Sequence, residues 1–552
     1  MSATEADLQV LETSVDTFYV QFSSYGVFMM QLGFCMLEAG SVRKKNVTSI
    51  LVKNLSDVCI TAIMYWFIGF SLSWGTDKSN SNNTWIGGFG AYFLEDIDDY
   101  GGFAFWMFHW AFASANSSIV SGALAERCEM APFLGYCAIV SGFVYPVVSN
   151  WAWNPLGWLS SYNPNAVAGG VVDFAGGGVV HFLGGIIALV GCIFLGPRSG
   201  RFTKVKDDDS NAVCVAPMNK NSNSFRAIGV FMLWNGWYYF NAGSTFGIAG
   251  ISESFLSSKI AVNTTLGPAS CAMASMLLSY LHYGITFDIE AVLNGIIAGL
   301  VSITSGCAVI ESWAAVLCGV LAAPVWMYSS HLLKQYCIDD VVDAIPIHAG
   351  CGAFGLIFTA FFATGGSMVK AYGFNTINHR GIFYGGNGEL LGAVFLFLIT
   401  CTAFVCVVFV PYFWFCSHQG WLRLSKEDET DLLDLTRHGP YYNNTPISKE
   451  KLSKKLRHLN PSALSEVSNE KTGIDKATLV YLAFENGVDD IISLLQLWDE
   501  LAGGSTNLSG EGFTSFEAKI WKLYQPSVDR FEFNTNASVN SDIDSFNPEE
   551  YL

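Results

Sequence analysis

The sequence predicts an all-α, polytopic membrane protein, and three observations support this fold class. First, 51% of the 552 residues are apolar and only 14% are charged, a balance that a water-soluble protein of this length does not carry. Second, about eleven apolar runs each reach the roughly 20 residues that a bilayer crossing needs. Third, Lys and Arg alternate between successive loops as expected for cytoplasmic and external sides.

The first apolar run is expected to remain in the protein as a membrane span. The preceding segment, residues 1–17, carries Glu5, Asp7, Glu12 and Asp16, where a cleaved signal would carry Lys or Arg. We therefore predict that residues 1–17 form an extracellular N-terminus.

The predicted membrane domain covers residues 18–416 and contains two sets of five spans followed by one more. In chain order the spans lie near 18–37, 55–74, 103–125, 132–150, 174–195, 225–245, 262–283, 291–310, 312–334, 345–364 and 389–416. An external N-terminus places most loop Lys and Arg inside, and an odd number of spans then leaves the C-terminus in the cytoplasm. The two sets of five have opposite orientations. Such inverted repeats place a substrate path at their interface, near the middle of the membrane.

Charge and cysteine usage narrow the partners. The net charge is −18, and the acidic residues lie mainly in loops and the tail. The 14 cysteines show no close pair with metal-ligand spacing, so no metal or other cofactor is expected. Membrane lipids are expected as partners and nucleic acid is not. Glycosylation sequons at Asn82 and Asn263 are predicted to lie in external loops.

Spans five and ten each open with Asp and then carry His. Span five contains Asp173 and His181 in DFAGGGVVH, and span ten contains Asp343 and His348 in DAIPIHAGCG. The two histidines would lie about 12 Å and 8 Å inside the opposite ends at which these helices begin. An intramembrane ionisable pair indicates a functional site. The simpler alternatives are interhelical hydrogen bonding for the histidines and N-terminal capping for the aspartates.

These residues belong to a set of motifs that resembles the ammonium transporter family, which includes methylammonium permeases and Rhesus proteins. The resemblance covers roughly residues 15–440 and is closest to the plant-type branch. The matching stretches are SGALAER (121–127), FVYPVVSNWAW (143–153), DFAGGGVVH (173–181), GWYYFNAGS (236–244), PIHAGCG (346–352) and DLTRHG (434–439).

The resemblance implies a transporter of the plasma membrane, without enzymatic activity, that recruits ammonium outside, deprotonates it and conducts ammonia through an apolar pore. It also implies a homotrimer with one pore per subunit, and methylammonium as a substrate analogue. The implied sites are recruitment at Trp153, Ser244 and Asp173, a gate at Phe112 and Phe240, and a pore lined by His181 and His348. One departure from the family pattern is His109, where Gln is usual.

The physical chemistry of these residues agrees with the implied roles. An aromatic face attracts a compact cation, and a hydroxyl accepts one of its N–H hydrogen bonds. Moving a full charge through an apolar pore costs far more free energy than these contacts provide. Ammonium can become neutral by losing a proton, whereas potassium and sodium cannot. Histidine is suited to accept that proton because it titrates near neutral pH.

The tail is predicted to have two parts. Residues 417–445 resemble the family's cytoplasmic regulatory segment, in which Thr436 occupies a position phosphorylated in plant-type members, so a kinase is an expected partner. Residues 446–552 form a cytoplasmic extension that is partly helical, within about 474–524, and disordered at its end.

Two other function classes remain open from the sequence. An ammonium sensor would keep the recruitment residues and signal through the cytoplasmic tail. A membrane redox enzyme would use intramembrane histidines as haem ligands, although the Gly-rich helices that carry His181 and His348 should pack too closely for haem.

Overall fold

The computed structural model describes residues 4–75, 85–88, 91–95, 97, 101–204, 213–284, 287–373, 376–430, 474–475 and 507–508. The chain divides into two units, Met1–Gly439 and Pro440–Leu552. Every long helix described belongs to the first unit. The predicted domain limits near residues 416 and 445 stay predictions.

Long helices occupy all eleven predicted spans. They are α1 (Glu5–Ser41), α2 (Lys44–Trp74), α3 (Gly102–Leu124), α4 (Met130–Trp153), α5 (Gly177–Leu195), α6 (Asn223–Gly243), α7 (Ile251–Tyr283), α8 (Ile289–Thr304), α9 (Ser312–Gln335), α10 (Ile345–Phe362) and, after the short α11 (Gly365–Tyr372), α12 (Glu389–His418). Seven of these helices are long and apolar enough to cross a membrane on length and composition alone. The chain is therefore an all-α, multi-pass membrane protein, as predicted.

Three helices, α1, α2 and α7, begin well before the apolar runs indicate. Helix α1 starts at Glu5, where Thr4 and Asp7 form a reciprocal capping box, so most of the predicted extracellular N-terminus is helical. Helix α7 starts at Ile251 rather than near residue 262. Asn263 is consequently buried inside α7 and donates to the Cys307 carbonyl at 2.9 Å, so its predicted place in an external loop is wrong. Asn82 lies outside the described residues.

Packing pairs corresponding helices of the two sets of five. Helix α1 packs along α6. The first turn of α5 packs against α10, and the first turn of α10 packs against α5. The first helices of the two sets of five therefore contact each other, and so do the fifth helices. This is the pairing that an inverted repeat produces. The two repeats close on one another at α5 and α10, the helices that carry His181 and His348.

Ion pairs join the loops that the charge rule places on the cytoplasmic side. Arg43, between α1 and α2, bonds Glu126 after α3 at 2.6 Å, and Arg198, after α5, bonds Asp339 before α10 at 2.7 Å. Burial raises the pKa of the Asp339 carboxyl, but the hydrogen bonds and charge of Arg198 outweigh it and hold that pKa well below its ordinary value. Arg198 also lies 3.4 Å from Glu126, so the four loops lie together on one face, as the predicted alternation requires.

Short strands complete the described structure. After α5, β1 (Phe202–Lys204) pairs antiparallel with β2 (Val213–Val215). Helix α13 (Lys426–Thr430) follows α12. In the second unit, β3 (Ile474–Asp475) pairs antiparallel with β4 (Asn507–Leu508). The rest of the predicted helical region at 474–524 lies outside the described residues.

Candidate functional site

A cavity of about 360 Å³ opens where α2, α3, α4 and α6 end on the side predicted to be external. Of the residues assigned from the sequence, Phe112, Trp153 and Ser244 line it, and so does His109. The rest of its wall is mainly aromatic and carries two charged side chains, with Trp74, Phe105, Phe108, Pro155, Tyr162, Phe174, Thr245, Phe246, Glu253, Leu256, Lys370 and Ala371. A cavity of this size and lining suits a small cation.

Ser244 follows the last residue of α6 and lies next to Phe240 in space. Its hydroxyl donates to the Phe240 carbonyl at 2.8 Å. Because the hydroxyl proton is used in this way, both oxygen lone pairs remain available to accept hydrogen bonds from a ligand.

Trp153 is held in place by the chain segment that leads into α5. Its indole Nε1 donates to the Asp173 carbonyl at 2.7 Å. The Asp173 carboxylate in turn accepts from the backbone N–H groups of Gly178 at 2.9 Å and Val179 at 2.8 Å. This is the helix cap predicted for Asp173. Asp173 is not among the residues that line the cavity, so its carboxylate is placed to organise the site rather than to contact a ligand in it.

Two stacked phenylalanines lie directly beneath the cavity. The ring centroids of Phe112 and Phe240 are 3.8 Å apart and the rings are 7° from parallel. Phe112 also lies 6.1 Å from Trp153, and Phe240 lies 5.6 Å from His181, centroid to centroid. The aromatic pair therefore separates the cavity from the two histidines.

The histidines of the two repeats meet in the buried centre. Nδ1 of His181 lies 3.1 Å from Nδ1 of His348, and both side chains are buried. Each histidine lies in a π-helical turn at the start of its helix, Gly177–Phe182 and Ile345–Gly350. π-helical turns are rare overall but are often found at functional sites. Their occurrence at both matched positions supports the symmetry between the two repeats.

Two glycines allow the helices that carry the histidines to come this close. Gly185 and Gly352 each lie four residues after one of the histidines, on the same helix face. A Cβ at Gly185 would lie 2.7 Å from the Ala349 Cβ, and one at Gly352 would lie 2.7 Å from the Gly177 carbonyl oxygen. Any larger residue at either position would push α5 and α10 apart and lengthen the contact between the histidines.

The contact between the histidines also bears on the haem alternative. A metal bound between two imidazole nitrogens needs about 2 Å on each side, or about 4 Å in total. The two Nδ1 atoms are only 3.1 Å apart. Among the described residues, no group of three or more His, Cys, Asp or Glu side chains is placed to hold a metal.

Sequence reasoning missed Trp237. Its buried indole stacks on the His181 ring, with centroids 5.0 Å apart and planes 18° from parallel, and its Nε1 donates to Thr304 Oγ1 at 2.9 Å. Trp237 precedes Phe240 by three residues, which puts both on the same face of α6. That spacing within GWYYFNAGS was the available signal.

The capping prediction for Asp343 is wrong. Asp343 accepts side-chain hydrogen bonds from Asn294 at 3.0 Å and Ser330 at 2.7 Å instead. The N-cap residue of α10 is Ala344, and the carboxylate that accepts from the Ile345 N–H, at 2.6 Å, is that of Asp340. The reason is the left-handed backbone of Asp343, with φ of +57°, which turns its side chain toward α8 and α9.

Through Glu429, the start of the tail contacts α2 and the loop after α5, on the side predicted to be cytoplasmic. Its carboxylate accepts from the Ser199 N–H at 2.6 Å and from Arg423 at 2.7 Å, and its carbonyl accepts from Lys45 at 2.7 Å. Burial raises the pKa of the Glu429 carboxyl, but the hydrogen bonds from Arg423 and Ser199 hold it below its ordinary value. Thr436 lies outside the described residues.

Comparisons with known proteins agree on one family. Residues 17–441 match the family model described as Ammonium Transporter Family. Ammonium transporter 1 member 3 of Solanum lycopersicum is 37% identical over 442 residues, covering 78% of this chain and 93% of the relative. Ammonium transporter 1 member 2 of Arabidopsis thaliana is 40% identical over 417 residues, covering 73% and 78%. A solved structure titled Sensor Amt Protein is 25% identical, with a TM-score of 0.67, and covers 79% of this chain and 100% of that one.

Proposed function

This chain belongs to the ammonium transporter family, and from that premise we propose that it recruits ammonium at the external cavity, removes a proton and conducts ammonia past His181 and His348. We further propose that it works in the plasma membrane, accepts methylammonium as an analogue and assembles as a homotrimer with one pore per subunit. The contact of 3.1 Å between the two buried histidine Nδ1 atoms, directly below the stacked phenylalanines, carries the proposal.

Recruitment uses weak contacts in the cavity. The Trp153 ring supplies a π face, worth about 0.5–2 kcal/mol for a cation, and the Ser244 oxygen accepts one N–H hydrogen bond. Asp173 contributes by fixing the start of α5 and, through its carbonyl, the Trp153 ring. These contacts replace only part of the hydration of ammonium, so they concentrate the cation at the mouth without trapping it.

Deprotonation follows from the closed aromatic gate. Phe112 and Phe240 stack at 3.8 Å and leave no polar group between their faces, so passage of a full charge is strongly disfavoured. When the rings separate, the neutral molecule crosses at far lower cost. In the pair below, one Nδ1 donates and the other accepts, so a proton can be shared along the two imidazoles. Selectivity against potassium and passage of the proton thus use the same groups.

The tail is proposed to regulate this transport. Glu429 joins the segment after α12 to the first turn of α2 and to the loop that follows α5. Phosphorylation of Thr436 by a kinase would add roughly two negative charges in an acidic stretch and repel that segment from its place. Membrane lipids are the other expected partners.

Replacing Glu429 by Ala is expected to release the tail. The variant loses the carboxylate that Ser199 and Arg423 share, so limited proteolysis within residues 417–445 should speed up about fivefold and transport should change with it. Glu12→Ala is the control, since Glu12 is an exposed glutamate on α1 that is not among the residues lining the cavity. Equal cleavage rates in E429A and wild type would contradict the regulatory role.

An ammonium sensor remains the second candidate function. The similarity to the structure titled Sensor Amt Protein and the long extension at 446–552 favour it. A sensor needs the external cavity but does not need continuous conduction past the histidines.

Uptake by proteoliposomes distinguishes the two functions. After ammonium or methylammonium is added outside vesicles that hold the purified wild type, we expect a rapid change of internal pH or of membrane potential, above that of empty vesicles. A folded wild type that leaves both unchanged would reject transport and support the sensor.

A further inference from the structure

His109 lines the external cavity, and the proposed transport mechanism does not use it. It lies on α3, three residues before Phe112, and its side chain is 2% exposed. Among the described residues, neither ring nitrogen has a hydrogen-bond partner. Burying a polar ring without partners costs free energy, so such a ring beside a cavity is explained when a ligand satisfies it.

The surroundings of the His109 ring are aromatic on every side. Its centroid lies 4.5 Å from Trp74, 4.4 Å from Phe105, 5.7 Å from Phe246 and 5.8 Å from Trp153. Phe108 and Phe112 complete the contacts, at 5.9 Å and 6.2 Å. None of these six rings ionises. A cation beside His109 would therefore meet aromatic faces, which attract it, and the two unused nitrogens of one imidazole.

We propose that neutral His109 is a further recruitment ligand, which accepts an N–H hydrogen bond from ammonium in the cavity. This inference rests on the proposed function and deepens it. Ammonium offers four N–H donors, and the Ser244 oxygen, whose own proton is used by the Phe240 carbonyl, supplies a second acceptor. An imidazole nitrogen is a poorer partner for potassium, which prefers oxygen ligands as hard cations do.

The neutral form of the His109 ring is the form that can act as a ligand. Neutral imidazole has one acceptor nitrogen, whereas imidazolium has none and carries a positive charge. Burial among aromatic rings disfavours the charged form, so the acceptor is retained. The charged side chains that line the same cavity are Glu253 and Lys370, and the Lys370 ammonium lies over the Phe255 ring at 4.3 Å.

The test compares two substitutions with different chemistry. His109→Gln keeps an acceptor that does not titrate, and His109→Leu removes the acceptor. For methylammonium uptake by proteoliposomes at a fixed external pH, the KM of H109Q should stay close to that of wild type. The KM of H109L should be about fivefold higher, with little change in the maximal rate. His282→Gln, an exposed histidine at the end of α7, is the control and should follow wild type.

The proposal is overturned if H109L and wild type share one KM, or if H109Q raises the KM as much as H109L does. A binding measurement separates this failure from failure of transport. Ligand that binds the folded state raises the unfolding temperature, so methylammonium should raise it in wild type and H109Q more than in H109L. This difference without uptake would reject transport and retain His109 as a ligand. Uptake with a KM that does not depend on His109 would support transport and reject His109 as a ligand.

Discussion

Replacing His181 by Ala is expected to lower the ammonium-dependent current of proteoliposomes by about tenfold or more, equivalent to about 1.4 kcal/mol or more in the barrier. The substitution removes one of the two rings whose Nδ1 atoms lie 3.1 Å apart. It also removes the ring that stacks between Trp237 and His348. Without it, the proton from ammonium has no continuous path between the imidazoles.

His282→Ala is the matched control for this experiment. His282 is an exposed histidine at the end of α7 and contacts the neighbouring Tyr283 ring. The control should keep the wild-type current, and both variants should unfold at temperatures close to that of wild type. A folded H181A with an undiminished ammonium current would show that protons do not pass through the histidine pair.

Replacing Asp173 by Ala is expected to cause the second large loss, both in stability and in transport. The buried N–H groups of Gly178 and Val179 would lose their acceptor, at about 1–3 kcal/mol for leaving buried donors unpaired. The first turn of α5 carries His181, so its displacement should also lower transport about tenfold or more. Thermal unfolding in detergent and uptake by proteoliposomes measure the two effects.

Asp173→Asn separates the cap from the charge. Both N–H groups bond the same oxygen, Oδ2, and an amide oxygen in its place can accept both, so D173N should keep most of the stability and transport if capping is the main role. Asp288→Ala is the control for losing a cap elsewhere, since Asp288 caps α8 by accepting from the Glu290 N–H at 3.0 Å. We expect D288A to lose stability but to keep the wild-type KM. If D173N transports as poorly as D173A, the charge of Asp173 is essential and the capping account is wrong.

Much of the fold could be predicted because a membrane imposes a length and a composition on each span. The order Asp then His in spans five and ten, read with the inverted orientation, also placed His181 and His348 in one region, and the structure brings their rings together. Their role in moving protons stays a proposal.

Contacts between helices that are far apart in the sequence could not be predicted from it. Trp237 stacks on His181 only because α6 lies beside α5, and apolar periodicity does not identify which tryptophan faces a histidine. Asp340 rather than Asp343 bonds the first N–H of α10, because a single positive φ redirects the Asp343 side chain. The early starts of α1 and α7 depend on polar, exposed turns, such as the capping box at Thr4 and Asp7, that hydropathy does not detect.

The most direct test of the central claim, that the permeating cation loses its proton at the aromatic gate, is the relative permeability of ammonium and potassium. These ions have similar size and charge, but only ammonium can become neutral. With equal inward gradients across wild-type proteoliposomes, the account predicts a current for ammonium and none above empty vesicles for potassium. A potassium current comparable to that of ammonium would mean that the intact cation crosses, and would contradict it.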